Sequence, residues 1–222
     1  MRKIKICTGE YYHIYNRGND KKNIFIDEKD RIRFLFLILF NQFSVKSNNL
    51  SRSVGYFVKH RVFNISEEDI ASMLDKRYVE LVCFALMPNH FHIILHEIRE
   101  NGIAHYMQRT LNGYTKYFNT KYEKSGHLFQ GPYQAVHVNN DAQLLYLTTY
   151  IHRNPRELKE WRDKENDFYW SSITDYIHLN RWGSGLSHQI VTEQFNSPEE
   201  YRKFVNTSSA KLETELNEDN LL

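Results

Sequence analysis

The feature that most constrains the fold is a long apolar stretch divided by the short segment Met87-Pro88-Asn89. Apolar residues on both sides of a proline-containing turn predict two strands joined as a hairpin. The second strand starts with His90-Phe91-His92. Because side chains alternate along a strand, His90 and His92 are expected on one face and Phe91 on the other.

This histidine pair has two interpretations. At spacing two the Cα atoms lie ~6–7 Å apart along a strand. Two imidazoles at that distance can converge on one divalent ion, since imidazole is a common metal ligand. Half-buried structural histidines would give the same pattern, and the chain has 11 histidines. The spacing alone leaves both interpretations open, and the residues around the pair have to decide between them.

Composition indicates one domain, or one domain with additions, for a chain of 222 residues. The two cysteines do not form a disulfide framework, which favours reduced thiols in a cytoplasmic protein. The longest apolar run, residues 34–40, has seven residues and is too short to span a bilayer. The charged N-terminal segment has no apolar signal core behind it. We therefore expect no membrane partner.

The charge is unevenly distributed. Residues 184–222 carry seven acidic and three basic residues, so that residues 1–183 have a net charge of +6 within a total of +2. A basic body favours a polyanionic partner, although many proteins of this charge bind no nucleic acid. The polar stretch at about 44–76 is interpreted as an insertion. We expect a domain over 1–183 and an acidic C-terminal extension over 184–222.

Periodicity and capping signals predict an α+β fold. The predicted strands are at about 11–16, 78–86, 90–97 and 135–138, and the predicted helices are at about 28–43, from 66, at 102–122 and from 141. This order is that of the split βαβ, or ferredoxin-like, arrangement, in which helices cover one face of an antiparallel sheet. His90 and His92 would then lie on a central strand.

A second informative segment starts at Tyr150 and ends at Pro155. Residues four apart share a helix face, so Tyr150 and Asn154 are expected to project together. A tyrosine can act as a nucleophile in covalent catalysis, and an amide oxygen can bind Mg²⁺ or Mn²⁺. The alternative is a tyrosine packed in the core with its hydroxyl group satisfied.

Together these segments resemble a known family. The segments 86–92, 126–133 and 150–156 occur in the order and at the separations typical of the single-tyrosine HUH transposases, which are IS200-like, and most closely of their REP-associated branch. The segment 13–19 is similar to the first strand and loop of that family, and 170–176 to its closing segment. The resemblance covers about residues 10–180. Each motif alone is modest, but the ordered set is specific.

The resemblance implies a metal-dependent enzyme that cleaves and rejoins single-stranded DNA. It implies His90, His92 and Asn154 as ligands of Mg²⁺ or Mn²⁺, and Tyr150 as the nucleophile. In the implied reaction the tyrosine becomes joined to a 5′ phosphate, and a 3′-OH reverses the step. Related proteins recognise hairpin DNA and include both monomers and homodimers, so either state is expected here.

The sequence departs from the family pattern at two positions and leaves other functions open. Pro132 stands where the family usually has a basic residue, and Phe129 where it usually has tryptophan. A non-catalytic DNA-binding regulator and a metal-dependent hydrolase that uses water are the alternatives, and neither requires Tyr150. Basic residues that could contact DNA, or equally lie on a solvated surface, are Arg17, Arg109, Lys116, Arg153 and Arg156.

Overall fold

The computed structural model describes residues 4–43, 50–63, 74 and 76–210. The strands are β1 (Tyr11–Arg17), β2 (Val79–Met87), β3 (His90–Glu97) and β4 (Gln134–Val138). The helices are α1 (Glu28–Phe40), α2 (Leu50–His60), α3 (Gly102–Lys121), α4 (Asp141–Arg153), α5 (Ile173–Ile177), α6 (Gln189–Thr192) and α7 (Pro198–Thr207). Single 3₁₀ turns are Asn19–Lys21, Asn154–Glu157, Lys159–Trp161, Glu165–Asp167 and Gly183–Gly185.

The strands form one antiparallel sheet in the order β2-β3-β1-β4, which confirms the predicted ferredoxin-like fold. Strand β3 is central, and residues alternate between its two faces. On one face Phe91 packs against Phe34 of α1, with 4.9 Å between ring centroids. On the other face His92 meets Tyr150 of α4, with 5.6 Å between centroids. The sheet is therefore covered by α1 and α3 on one side and by α4 on the other.

Helix α1 starts at a reciprocal capping box between Asp27 and Asp30. It ends at Phe40 instead of continuing to residue 43 as predicted, with Asn41 as the C-cap. The next residue, Gln42, is fully buried, and its amide bonds to the carbonyl of Gly185 and accepts from the amide of Leu81. These distant partners favour a turn over a further turn of helix, and the local sequence carries no sign of them.

The outer edge of β2 is covered by a segment from later in the chain. The amide of Leu86 donates to the carbonyl of Trp170, and the amide of Ser172 donates to the carbonyl of Phe84. This pairing satisfies edge groups that would otherwise be open to another strand. Val191, Tyr201 and Val205 lie in the same hydrophobic core as the sheet. The division expected at residue 183 stays a prediction.

The other predicted elements agree with the structure to within one or two residues, apart from three predictions that lie wholly or partly outside the described residues. The helix start predicted at residue 66 lies outside the described residues, as do most of the insertion at 44–76 and the end of the acidic extension. Over the described ranges, no helix has both the length and the apolar character needed to cross a bilayer.

Candidate active site

Strand β3 presents His90 and His92 to helix α4. Their ring centroids are 5.1 Å apart and their planes are nearly perpendicular. Both residues are 8% exposed, so each is largely buried but reaches the surface. In the antiparallel pairing with β1, His90 lies opposite Arg17 and His92 lies opposite Tyr15. The pair is therefore at the end of β3 nearest the turn that contains Pro88.

Helix α4 brings Tyr150 and Asn154 to the same face of the sheet. Asn140 caps the helix by accepting from the amide of Gln143, and Asn154 is its C-cap. The Oδ1 atom of Asn154 lies 3.0 Å from the Nε2 atom of His90. The ring of Tyr150 lies edge-on to His92. The structure thus brings together His90, His92, Tyr150 and Asn154, which the sequence places 60 residues apart.

Asn89 sets the tautomer of His90. Its amide group donates to the carbonyl of Lys21 at 3.3 Å, which directs its Oδ1 atom to the Nδ1 atom of His90 at 2.6 Å. An amide oxygen only accepts, so Nδ1 of His90 carries a proton, and in the neutral ring Nε2 then carries the lone pair. That lone pair faces the Oδ1 atom of Asn154. Two acceptors therefore face each other in the largely buried site.

This donor set fits a divalent cation. Neighbouring ligands of an octahedral Mg²⁺ ion, each at about 2.1 Å, are about 3 Å apart, and the His90–Asn154 separation is 3.0 Å. The Nδ2 atom of Asn154 is buried without a hydrogen-bond partner, so the oxygen is the amide atom that faces His90. Within the described ranges no three His, Cys, Asp or Glu residues converge as a metal site, so the set would be two imidazoles and one amide oxygen.

His13 is a site residue that the sequence analysis did not single out. Its Nε2 atom lies 2.8 Å from the Nδ1 atom of His92, and the residue is 6% exposed. Burial lowers the pKa of His13 to about 4, so it is neutral at pH 7 and its Nε2 atom can accept a hydrogen bond from Nδ1 of His92. With Nδ1 as the donor, Nε2 is the atom of the neutral His92 ring that carries the lone pair. The alternation of residues along β1 could have indicated His13 as a site residue, but only if the pairing of β1 with β3 had been known.

A family model for IS200-like transposases matches residues 52–154, which include both histidines of β3, Tyr150 and Asn154. Over these residues the chain is similar to the IS200-like transposases. Members take part in DNA transposition and generally use a divalent metal ion. A search of curated protein sequences finds no match.

The fold is similar to that of a REP-associated tyrosine transposase solved in complex with a REP hairpin. The TM-score is 0.52 at 10% sequence identity, and the alignment covers 86% of this chain and 93% of the other. At that identity the similarity concerns the fold, and it extends over nearly all of both chains.

Near the nucleophile expected for an IS200-like transposase lies a buried arginine. Arg153 is 3% exposed, and its Nε and Nη1 atoms are buried without hydrogen-bond partners. Burial, and next the charge of Arg156, lower its pKa from the usual arginine value. Arg156 is paired with Glu165 at 2.8 Å and with Asp163 at 3.1 Å. Arg153 therefore has two buried, unpaired donor atoms, whereas Arg156 already forms two ion pairs.

The remaining basic residues predicted to contact DNA are at three places. Arg17 lies opposite His90 at the end of β1. Arg109 donates to the carbonyl of Phe43 at 2.8 Å, a contact that joins α3 to the end of α1. Lys116 is exposed on α3, on the side of the sheet away from the histidine pair.

Proposed function

We propose that this protein acts as an IS200-like transposase and that it cleaves and rejoins single-stranded DNA at hairpin-containing sites through a covalent bond between Tyr150 and a 5′ phosphate. The observation that carries the proposal is the position of Tyr150, whose ring is 5.6 Å from that of His92, on the helix that also brings Asn154 to His90. The proposed nucleophile and the three proposed metal ligands thus share one face of the sheet.

In the proposed reaction the phenolic oxygen of Tyr150 attacks the phosphorus of a phosphodiester. The bond from phosphorus to the 3′ oxygen breaks, the phenol proton passes to solvent, and the leaving 3′ oxygen takes up a proton. A 3′-OH later attacks the phosphotyrosine, restores the phosphodiester and releases the tyrosine. The number of phosphoester bonds is unchanged, so neither step needs a nucleotide energy source.

His90, His92 and Asn154 would hold Mg²⁺ or Mn²⁺, which would polarise a phosphoryl oxygen and stabilise the charge that develops there. His13 and Asn89 would position the two imidazoles so that each directs a lone pair to the ion. The contribution of the protein chain is therefore to orient the reacting groups. Two strands and one helix would bring the metal ligands and the nucleophile to the same phosphate.

Arg153 is the residue best placed to bind a phosphate beside Tyr150. On a helix, residues three apart are neighbours on the surface. A guanidinium group has a planar set of donors that matches phosphate oxygens, and two of those of Arg153 are buried without a partner. Arg17 lies opposite His90 and would contact the DNA strand at the other side of the histidine pair.

Hairpin DNA is the substrate to test first, because the similar REP-associated transposase is bound to a hairpin. A labelled hairpin with single-stranded tails is incubated with the protein and Mg²⁺ or Mn²⁺, and the products are separated on a denaturing gel. We expect a protein–DNA adduct that Tyr150→Phe abolishes. Tyr146→Phe is the matched control, since Tyr146 lies one turn earlier on α4 and is 37% exposed.

Two results would contradict the proposal. Retention of the adduct in Tyr150→Phe would exclude Tyr150 as the nucleophile. Hairpin binding by the wild type with no adduct in either metal would instead favour a non-catalytic DNA-binding regulator of the same fold.

A further inference from the structure

We propose that His152 is a positioning residue that fixes helix α4, and that Ser172 and Tyr201 hold its imidazole from the C-terminal part of the chain. In this way the C-terminal part sets where Tyr150 and Asn154 lie relative to the histidine pair. The inference rests on the proposed function, because it assumes that Tyr150 reacts and that Asn154 binds a metal ion. Both partners of His152 follow residue 154, at which the match to the family model ends.

His152 lies between the two proposed site residues of α4 but points away from them. At 3.6 residues per turn, it is rotated by about 160° around the helix axis from both Tyr150 and Asn154. Its side chain is fully buried, so the helix is also packed on the side away from the histidine pair. Any rotation or shift of α4 that moves Tyr150 or Asn154 therefore also disturbs the contacts of His152.

Both ring nitrogens of His152 have a hydroxyl partner. The Nδ1 atom lies 2.6 Å from the hydroxyl oxygen of Tyr201, and the Nε2 atom lies 2.8 Å from the Oγ atom of Ser172. Burial lowers the pKa of His152 to about 3, so the ring is neutral and has one donor nitrogen and one acceptor nitrogen. A hydroxyl group can donate or accept, so both bonds form with either tautomer. The imidazole is thus held at two points, which fixes both its position and its orientation.

Ser172 connects His152 to the sheet. Its backbone amide donates to the carbonyl of Phe84 at 3.0 Å, and its Oγ atom accepts from the amide of Phe84 at 2.9 Å. Phe84 of β2 pairs with Ile93 of β3, the residue that follows His92. A continuous path of paired backbone and hydrogen-bonded side chains therefore leads from the strand of the histidine pair to the helix of the proposed nucleophile.

Tyr201 connects His152 to helix α7. Its ring lies 5.1 Å from the ring of Tyr176 and 5.1 Å from that of Phe195, measured between centroids. Tyr201 and Val205, one turn later on α7, are both buried in the hydrophobic core that includes the sheet. Packing of the aromatic ring on several sides fixes the hydroxyl group of Tyr201 at His152.

Small displacements of α4 should have large effects on the proposed reaction. A misplacement of about 1 Å can lower a reaction rate about 10²-fold. Loss of a residue that orients a metal ligand lowers metal affinity or activity by about 10- to 100-fold. The Oδ1 atom of Asn154 lies 3.0 Å from the Nε2 atom of His90, so a tilt of α4 at His152 would change the separation of two proposed ligands.

The test uses Tyr201→Phe, which removes the hydroxyl group and keeps the packed ring. Tyr106→Phe is the matched control, because Tyr106 is also fully buried and donates to the carbonyl of Ile38 at 2.9 Å, but lies on α3 at the other side of the sheet. Each protein is mixed in excess with a labelled tailed hairpin and saturating Mn²⁺, and the rate constant and the amplitude of adduct formation are recorded. The Mn²⁺ affinity of the DNA-free protein is titrated separately, also for Tyr201→Phe combined with Asn154→Ala.

We expect Tyr201→Phe to lower the rate constant and the Mn²⁺ affinity about tenfold each, and Tyr106→Phe to change neither. In the Asn154→Ala background, Tyr201→Phe should not lower the Mn²⁺ affinity further, because the ligand that it positions is absent.

Two results would overturn the inference. A lower amplitude with an unchanged rate constant would show only a loss of folded protein. Wild-type values of both the rate constant and the Mn²⁺ affinity in Tyr201→Phe would show that the hydroxyl group positions nothing. Failure of the proposed function would appear separately, as a wild type that forms no adduct, and the Mn²⁺ titration would then still test the positioning of Asn154.

Discussion

The Oδ1 atom of Asn154 lies 3.0 Å from the Nε2 atom of His90, and in the neutral tautomer that Asn89 favours both atoms are acceptors. Two facing lone pairs in a largely buried site are unfavourable without a cation or a proton between them. This relationship joins strand β3 to helix α4 and is the main physical argument for a metal ion at this position.

Asn154→Ala should weaken the binding of Mn²⁺ by tenfold or more, because it removes one of three ligands. Asn154→Asp should strengthen it, since a carboxylate is a better ligand for a hard cation. Titration of the DNA-free protein with Mn²⁺ measures both. Asn166→Ala, whose amide contacts only Asn206 at 3.1 Å among the described residues, is the control. Equal affinity in all three variants would exclude Asn154 as a ligand.

His13→Ala should reduce both metal affinity and adduct formation by about 10- to 100-fold, the usual effect of losing a residue that orients a metal ligand. His13→Gln, which keeps an acceptor on the same strand, should restore part of both. His137→Ala on the neighbouring strand β4 is the matched control, because His137 contacts Glu10 and Asn139 at the surface. A loss of thermal stability with unchanged metal affinity would assign His13 a structural role only.

Arg153→Leu should separate stability from activity. It removes a buried guanidinium whose Nε and Nη1 atoms lack hydrogen bonds, so the free energy of unfolding should change little. Adduct formation should fall about tenfold or more, since a charge-assisted phosphate contact is lost. Arg156→Leu should do the reverse and cost about 1–3 kcal/mol of stability, because Glu165 loses its ion pair. A large loss of stability in Arg153→Leu with full activity would contradict this assignment.

Stability should fall in acid through Asp30, which is fully buried between α1 and α3. Burial raises its pKa, but hydrogen bonds from Lys121, Tyr122 and two backbone amides outweigh burial and leave the pKa below its usual value. A carboxyl whose pKa is depressed by folding adds stability above its unfolded pKa of about 3.9, and this stability is lost as the pH falls through the folded pKa. Asp30→Asn should lower the free energy of unfolding by about 2 kcal/mol at pH 7. When this free energy is measured by urea unfolding at a series of pH values, it should also fall less steeply in acid in the variant. If the free energy of unfolding falls equally steeply in acid in the variant, Asp30 is excluded as the cause of the acid sensitivity.

Most of the local secondary structure could be predicted from the sequence. Alternation on β3 and helical spacing on α4 follow from residues close in the chain, so the strand of His90 and the helix of Tyr150 were predictable. The contact of His13 with His92 depends on which strands pair, and the buried place of Gln42 depends on Gly185, which lies 143 residues away. Likewise, composition alone assigns Tyr201 to an acidic extension. In the structure its hydroxyl group lies 2.6 Å from the ring of the buried His152 and forms a hydrogen bond with it.

The most direct test of the account is the chemical identity of the adduct. The protein is incubated with a tailed hairpin and Mn²⁺, the DNA is trimmed with nuclease, and the tryptic peptides are analysed by mass spectrometry. The account predicts a 5′-phosphonucleotide on the peptide that contains Tyr150, and a free 3′-OH on the released DNA. A modification on Tyr146 or any other residue, or a 3′-phosphate bond to the protein, would contradict it.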